Sequence, residues 1–249
     1  MAAKYFFLTF FIIMSTTSFS QNQKTLRIGH RGAMAHVAEN TVESVQKAVE
    51  MNCDMIEIDV YKIKDDSLIV FHDAVLERVT NGTGYIEDYT YAELQPLWVK
   101  GEYKIPTLSQ IIEAIDKKAI LNIELKGSDT AEKTHEIIRS FLLKGWQKSD
   151  FIISSFRWDE LKKMREIDSS IAIAVLTEQE PLEAIAFAQE IRAVAINPYF
   201  EKLTLFNIQK IKDAGLLIYP WTVNEYTDIR KMYELKVDGI ITNYPERIE

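Results

Sequence analysis

The stretch MIEIDV, residues 55–60, alternates apolar and acidic side chains with the period of a β-strand. That period puts Glu57 and Asp59 on one face and Ile56, Ile58 and Val60 on the other. In a barrel the apolar face meets surrounding helices, so the two carboxylates point toward the lumen or its mouth. The pattern returns in LNIELKG, residues 121–127, where Asn122, Glu124 and Lys126 share one face and Leu121, Ile123 and Leu125 the other. Two strands therefore bring three carboxylates and a lysine to one interior.

Outward from these strands, short apolar runs alternate with longer amphipathic ones. Strand-like segments are LRIGH, DMIEIDVY, AILNIEL, DFIISSF, IAIAVLT, AVAINPY, LLIYPWTV and VDGIITN, and between them apolar positions recur at three and four, as a helix with one buried face requires. No glycine-rich nucleotide turn follows the first strand. The alternation predicts an α/β fold of the (β/α)8 TIM type, which 249 residues accommodate in one domain. The rhythm breaks once, over residues 74–106, where a long connection after SLIVFHD predicts a small insertion above one end of the barrel.

The net charge of -8 argues against a sequence-independent nucleic-acid binder, so an anionic ligand has to be met by a local group of cations or by a metal. Near the N-terminus Lys4 precedes the apolar YFFLTFFIIM, residues 5–14, and small polar residues lead to Ser20. These are the marks of a secretory signal peptide, residues 1–20, preceding a single domain at 21–249; ten apolar residues are too few for a stable span, although an uncleaved anchor is the alternative. The expected destination is the periplasm or the exterior, with no stable membrane span after cleavage. The lone Cys53 fits export without disulfides and reads as a buried structural thiol.

Three buried anions repel one another unless a cation or proton compensates them. A hard divalent ion, Ca²⁺ or Mg²⁺, suits oxygen-only ligands; a metal-free set neutralised by Lys126 and Arg31 is the other reading. IGHRG places His30 and Arg31 at the end of the first strand, and VFHD places His72 at the end of another apolar run. Two histidines can divide general-acid and general-base work, Arg31 offers a fork for phosphate oxygens, and Lys126 offers a point charge. Together they describe chemistry at a phosphodiester.

HRG followed by ENT (His30 to Thr41), then EIDV, FHD, TNGTG, IELKG, WTVN and DGIITNYP resemble the glycerophosphodiester phosphodiesterase family, in matching order from about Arg27 to Pro245. The resemblance implies a β/α barrel with a small insertion after its second strand, and metal-dependent hydrolysis of glycerophosphodiesters to an alcohol and sn-glycerol 3-phosphate. It implies Glu57, Asp59 and Glu124 as metal ligands, His30 and His72 as the acid/base pair, and Arg31 and Lys126 on the phosphate. It leaves open whether the glycerol's own hydroxyl attacks first, through a cyclic phosphate, or water attacks directly. Ala38 and Asn243 stand where the family commonly has proline and aspartate, and neither belongs to the implied chemistry.

Other residues keep two readings. Glu39 and Asn40 are either cap and turn residues or substrate contacts, and Trp221 is either a wall of the substrate pocket or core. His36 can reach the mouth, His135 reads as solvated surface, and TNGTG as a structural turn. The aromatics Tyr85, Tyr89, Tyr91, Trp98 and Tyr103 either shape the pocket or form the insertion's own core. The rival activities are cleavage of a lysophospholipid or lipid headgroup at the same site, a metal-independent glycoside hydrolase, and a non-catalytic binding module.

Overall fold

A computed structural model describes residues 24–249. The signal peptide expected at residues 1–20 lies outside them. Described in chain order are β1 (Leu26–Gly29), α1 (Val42–Glu50), β2 (Met55–Lys62), β3 (Leu68–Val70), α2 (Tyr91–Leu94), α3 (Leu108–Ile115), β4 (Ile120–Leu125) and α4 (Thr130–Leu142). After them come β5 (Phe151–Ser155), α5 (Trp158–Ile167), β6 (Ala172–Thr177), α6 (Glu183–Glu190), β7 (Ala195–Pro198), α7 (Leu205–Asp213), β8 (Leu217–Ile218), α8 (Tyr226–Glu234) and β9 (Gly239–Thr242).

Eight of these strands are parallel neighbours in the order β8, β7, β6, β5, β4, β2, β1, β9, and each strand expected from the sequence is among them. The ring is nearly closed. Between β8 and β9 the ladder reduces to scattered bonds, in which Asp238 N–H donates to Ile218 O at 3.1 Å and Ile241 N–H to Pro220 O at 3.0 Å. Pro220, two residues past β8, has no N–H to continue the ladder, and the strand is only two residues long.

The alternation in β2 and β4 works as their sequences require. Ile56, Ile58, Val60, Leu121, Ile123 and Leu125 pack outward in the large core shared with the helices. Ile28, Met55, Ile152, Ala174, Ala195, Tyr219 and Ile241 fill the lumen beneath the acids. Helix α1 starts at Thr41, whose side chain accepts from Ser44 N–H, and buries Val45 and Ala48.

Between β2 and α3 the chain leaves the barrel. Residues 68–70 pair antiparallel to β2, with Val60 opposite Val70, so β3 turns the chain back toward the mouth before the stretch beginning at Ala74. The excursion has a core of its own around Tyr61, Ile69, Phe71, Leu76, Ile86 and Leu94, against which Tyr89, Tyr91 and Tyr103 pack. Tyr85 and Trp98 are exposed, and none of the five aromatics lines the central cavity.

Candidate active site

The register of the parallel strands sets the acids side by side. Glu57 pairs with Asn122 and Asp59 with Glu124, so each β2 acid has a β4 side chain as its lateral neighbour. One oxygen from each of Glu57, Asp59 and Glu124 can be chosen so that all three lie within 4.8 Å of one another. All three residues are buried.

The loop after β1 brings the cationic side. His30 N–H donates to Thr242 O at 2.9 Å, which ties the loop to β9. Arg31 and Asn40 adopt left-handed backbones, with φ of 50° and 58°, a local strain of the kind that collects at functional sites. Gly32, at φ 85°, has no substitute: a Cβ there would lie 2.4 Å from Ser44 Oγ and 2.6 Å from the Ser44 carbonyl carbon. The tight turn lets Arg31 N–H donate to Glu57 Oε2 at 2.9 Å. The Arg31 guanidinium donates to Glu39 Oε1 at 2.7 Å through Nη1, while its Nε lies 3.4 Å from Asp59 Oδ2, close enough for an ion pair but without a hydrogen bond's alignment. Lys126 Nζ is 3.0 Å from Glu124 Oε1 and 3.9 Å from Asp59 Oδ1.

Two cations facing three acids do not satisfy the set. Glu57 Oε1 is buried without any hydrogen-bond partner, and such an oxygen is costly unless something positive meets it. Burial, reinforced by Asp59 and Glu124, pushes the Glu57 carboxyl well above the usual carboxylate range, and burial together with Asp59 pushes Glu124 up to about 7. Although burial works against it, Glu124 raises the Lys126 ammonium above its ordinary value. The donors are all hard oxygens, one of them orphaned and two of the acids reluctant to ionise alone. That is the chemistry of a site that fits a divalent cation.

Both histidines reach the same cavity by different routes. His30 holds Asn243 Oδ1 at 2.6 Å through Nδ1, which assigns the proton to Nδ1 and turns Nε2 toward Glu57 Oε2, 4.0 Å away. Burial, then the Arg31 charge, lowers His30 to about 4. His72 arrives on the returning strand β3, not on a barrel strand; its Nδ1 is 2.5 Å from Asp73 Oδ1 and its Nε2 is 3.4 Å from Lys126 Nζ. Burial lowers His72 as well, against the pull of Asp59. Trp221 lines the cavity, its indole N–H anchored on Asn197 O at 2.9 Å and its ring edge-on to Phe156 at the mouth.

A chain of charges supports these groups from outside. Arg78, in the insertion, donates to both Glu39 oxygens at 2.8 and 2.6 Å and also binds Asp73. Glu39 thus joins Arg31 to Arg78, and Arg78 joins Asp73 and His72. Against the effect of burial, hydrogen bonds from Arg78 hold both Glu39 and Asp73 at about 2. Asn40 Nδ2 donates to Asp59 Oδ2 at 2.8 Å, and its Oδ1 accepts from Asp59 N–H at 3.2 Å.

A profile of the glycerophosphoryl diester phosphodiesterase family matches residues 30–247. The chain belongs to that family. A glycerophosphodiester phosphodiesterase of Bacillus subtilis is 32% identical, the match covering 90% of this chain and 85% of that protein. A glycerophosphodiester phosphodiesterase of Caldanaerobacter subterraneus is also 32% identical, over 90% and 96%. Among solved structures, an Oleispira antarctica phosphodiesterase in complex with the product sn-glycerol 3-phosphate superimposes with a TM-score of 0.82 at 28% identity, over 89% of this chain and 94% of that one. The human lysophospholipase D is a more remote relative, 24% identical over 98% of this chain and 92% of that protein.

Several residues set aside in the sequence make contacts that the sequence did not announce. Asn243, read as lying outside the chemistry, is the hydrogen-bond partner of His30. Glu39 and Asn40, readable from the sequence as turn residues fixing the HRG loop or as substrate contacts, lie outside the cavity lining and hold Arg31 and Asp59. His135 is not solvated surface; its ring is largely covered and lies 3.4 Å from Asp168 Oδ2. His36 pairs with Glu246 at 2.9 Å, outside the cavity lining. Arg78, Ser154 and Asn197 carried no signal beyond residue type. For the last two a clue existed in strand period, since each is a polar residue on the lumen-facing side of an apolar strand.

Proposed function

We propose that the chain hydrolyses glycerophosphodiesters to an alcohol and sn-glycerol 3-phosphate, with one divalent cation held by Glu57, Asp59 and Glu124. The observation that carries the reading is the partnerless Glu57 oxygen among three clustered acids, set opposite Arg31 and Lys126 in a cavity that also receives two histidines. When bound, the cation supplies positive charge that polarises the phosphoryl oxygens. Arg31 and Lys126 receive phosphate oxygens, and their charge offsets the negative charge carried by those oxygens in the transition state.

The histidines divide the proton work through their partners. Asn243 is neutral, and Arg31 lies beside His30, so His30 is the member that stays unprotonated and accepts the proton of the attacking hydroxyl at Nε2. Burial and the neighbouring Arg31 and Lys126 charges work against a protonated His72, while Asp59 and the Asp73 carboxylate on Nδ1 favour it; in its protonated form the ring gives the Nε2 proton to the leaving oxygen. The same arrangement serves attack by water or by a neighbouring hydroxyl of the glycerol. Export through the leader expected at residues 1–20 belongs to the proposal and is tested by a mature N-terminus at Gln21 in the mass of the secreted protein.

The test is release of sn-glycerol 3-phosphate from glycerophosphocholine by the purified protein, before and after chelation and with Ca²⁺ or Mg²⁺ restored. Turnover that stops with chelator and returns with either ion is expected. Turnover indifferent to chelation contradicts the role given to the acids. A second reading, cleavage of a lysophospholipid, is favoured by the exposed Phe156 at the cavity mouth. Faster turnover of lysophosphatidylcholine in the same assay would select it.

A further inference from the structure

The cavity lining carries three polar groups, one across the lumen from the acids and two beside them, that nothing in the reaction so far uses. In the ring of strands β7 stands four places from β2 in either direction, so Asn197 lies across the lumen from Glu57 and Asp59. Asn197 is fully buried and lines the cavity, and neither its Nδ2 nor its Oδ1 has a hydrogen-bond partner. Ser154, on β5, is equally buried, lines the same cavity and leaves its Oγ without a partner. Asn122, beside Glu57 on β4, contributes a third orphan, its Oδ1. Buried amides and hydroxyls are almost always paired, so three unpaired ones around one cavity point to something that enters it.

The chemistry of these groups selects the visitor. An amide presents donors and an acceptor, and a serine hydroxyl presents both, which matches an alcohol hydroxyl. The cations of the cavity lining, Arg31 and Lys126, are paired with the acids and given to the diester's own phosphate, so a second phosphate has no partner here. We propose that Asn197 and Ser154, with Asn122 Oδ1, form a hydroxyl-binding subsite for the glycerol half of the diester, with Asn197 on the primary hydroxyl farthest from phosphorus. The proposal rests on the function given above. The cationic side chains hold the phosphate, and the neutral amides and hydroxyl read the polyol. The subsite discriminates because an analogue lacking that hydroxyl leaves the buried amide unpaired.

The test compares kcat/KM for glycerophosphocholine and for the phosphocholine diester of propane-1,2-diol, which lacks the primary hydroxyl. The wild-type protein is expected to favour glycerophosphocholine by at least about tenfold. That ratio should collapse toward one in Asn197→Ala and fall part of the way in Ser154→Ala, with near-UV circular dichroism confirming that each variant is folded. A wild-type ratio near one overturns the subsite whatever the variants do. A ratio preserved in folded Asn197→Ala overturns it as well. Turnover of neither diester overturns both this subsite and the activity on which it rests, whereas turnover of both at equal rates overturns the subsite alone.

Discussion

Asn40 shows how much of the site is decided one residue away from the chemistry. Its amide grips Asp59 at the carboxylate and at the backbone, so it fixes the orientation of a candidate metal ligand. Asn40→Ala is expected to weaken cation affinity by about 10–100-fold, as is usual when a ligand loses its supporting hydrogen bond, and a metal titration reads this directly. His72→Gln removes the proposed acid and should cost about 10²–10⁴-fold in kcat with little change in cation affinity. Glu39 gives a pH signature. Its folded pKa of about 2 lies below the ordinary 4.5, so its contribution to stability is complete above about pH 4.5 and lost as pH falls toward 2. Denaturant unfolding across that window should show a steeper loss for the wild-type protein than for Glu39→Gln; parallel curves would contradict the assignment.

Elements deliver these residues, and they were legible in proportion to the length of their patterns. The eight barrel strands and seven of the helices follow from strand-period and helix-period runs long enough to distinguish. β3 is three residues long, too short to reveal a period, so His72 read as the end of one more apolar run when it is carried back by an antiparallel hairpin. The three acids were readable because carboxylates inside apolar strands are costly and so conspicuous. Asn243 was not, and Ser154 and Asn197 offered only their strand period, since a neutral polar side chain says little until the fold shows whether it meets a histidine or lines the lumen. The loop between β1 and α1 offers the sharpest test at this scale. Gly32→Ala puts a Cβ against Ser44 at a left-handed φ and should destabilise the protein by more than about 1 kcal/mol while also lowering kcat, because Arg31 shares the strained turn. Thr41→Ala removes the cap of α1 together with the hydroxyl's bond to Ala38 O at 2.7 Å, and should cost about 1–2 kcal/mol with kcat largely retained.

At the scale of the whole molecule, the barrel sets a charged half-wall of β1, β2 and β4 against a neutral half-wall of β5 and β7, over a floor of apolar lumen residues. Among the described residues no helix is long and apolar enough to cross a membrane. A cation bound to the three acids would hold the charged half-wall together and stabilise the folded state only. At a concentration a hundredfold above its dissociation constant that linkage contributes about 2.7 kcal/mol, which raises Tm by roughly 5–10 °C for a domain of this size. The same increment should be absent in chelator and in Glu124→Gln.

The measurement that bears most directly on the account is calorimetric titration of the chelator-treated protein with Ca²⁺ and with Mg²⁺ near neutral pH, in two buffers of different ionisation enthalpy. One ion per chain is predicted, with proton release, because Glu57 and Glu124 are both pushed up by burial and by their acidic neighbours and must ionise fully to bind. Binding should vanish in Glu57→Gln. No binding of either ion, or binding unchanged in that variant, would contradict the claim that the three buried acids exist to hold a cation.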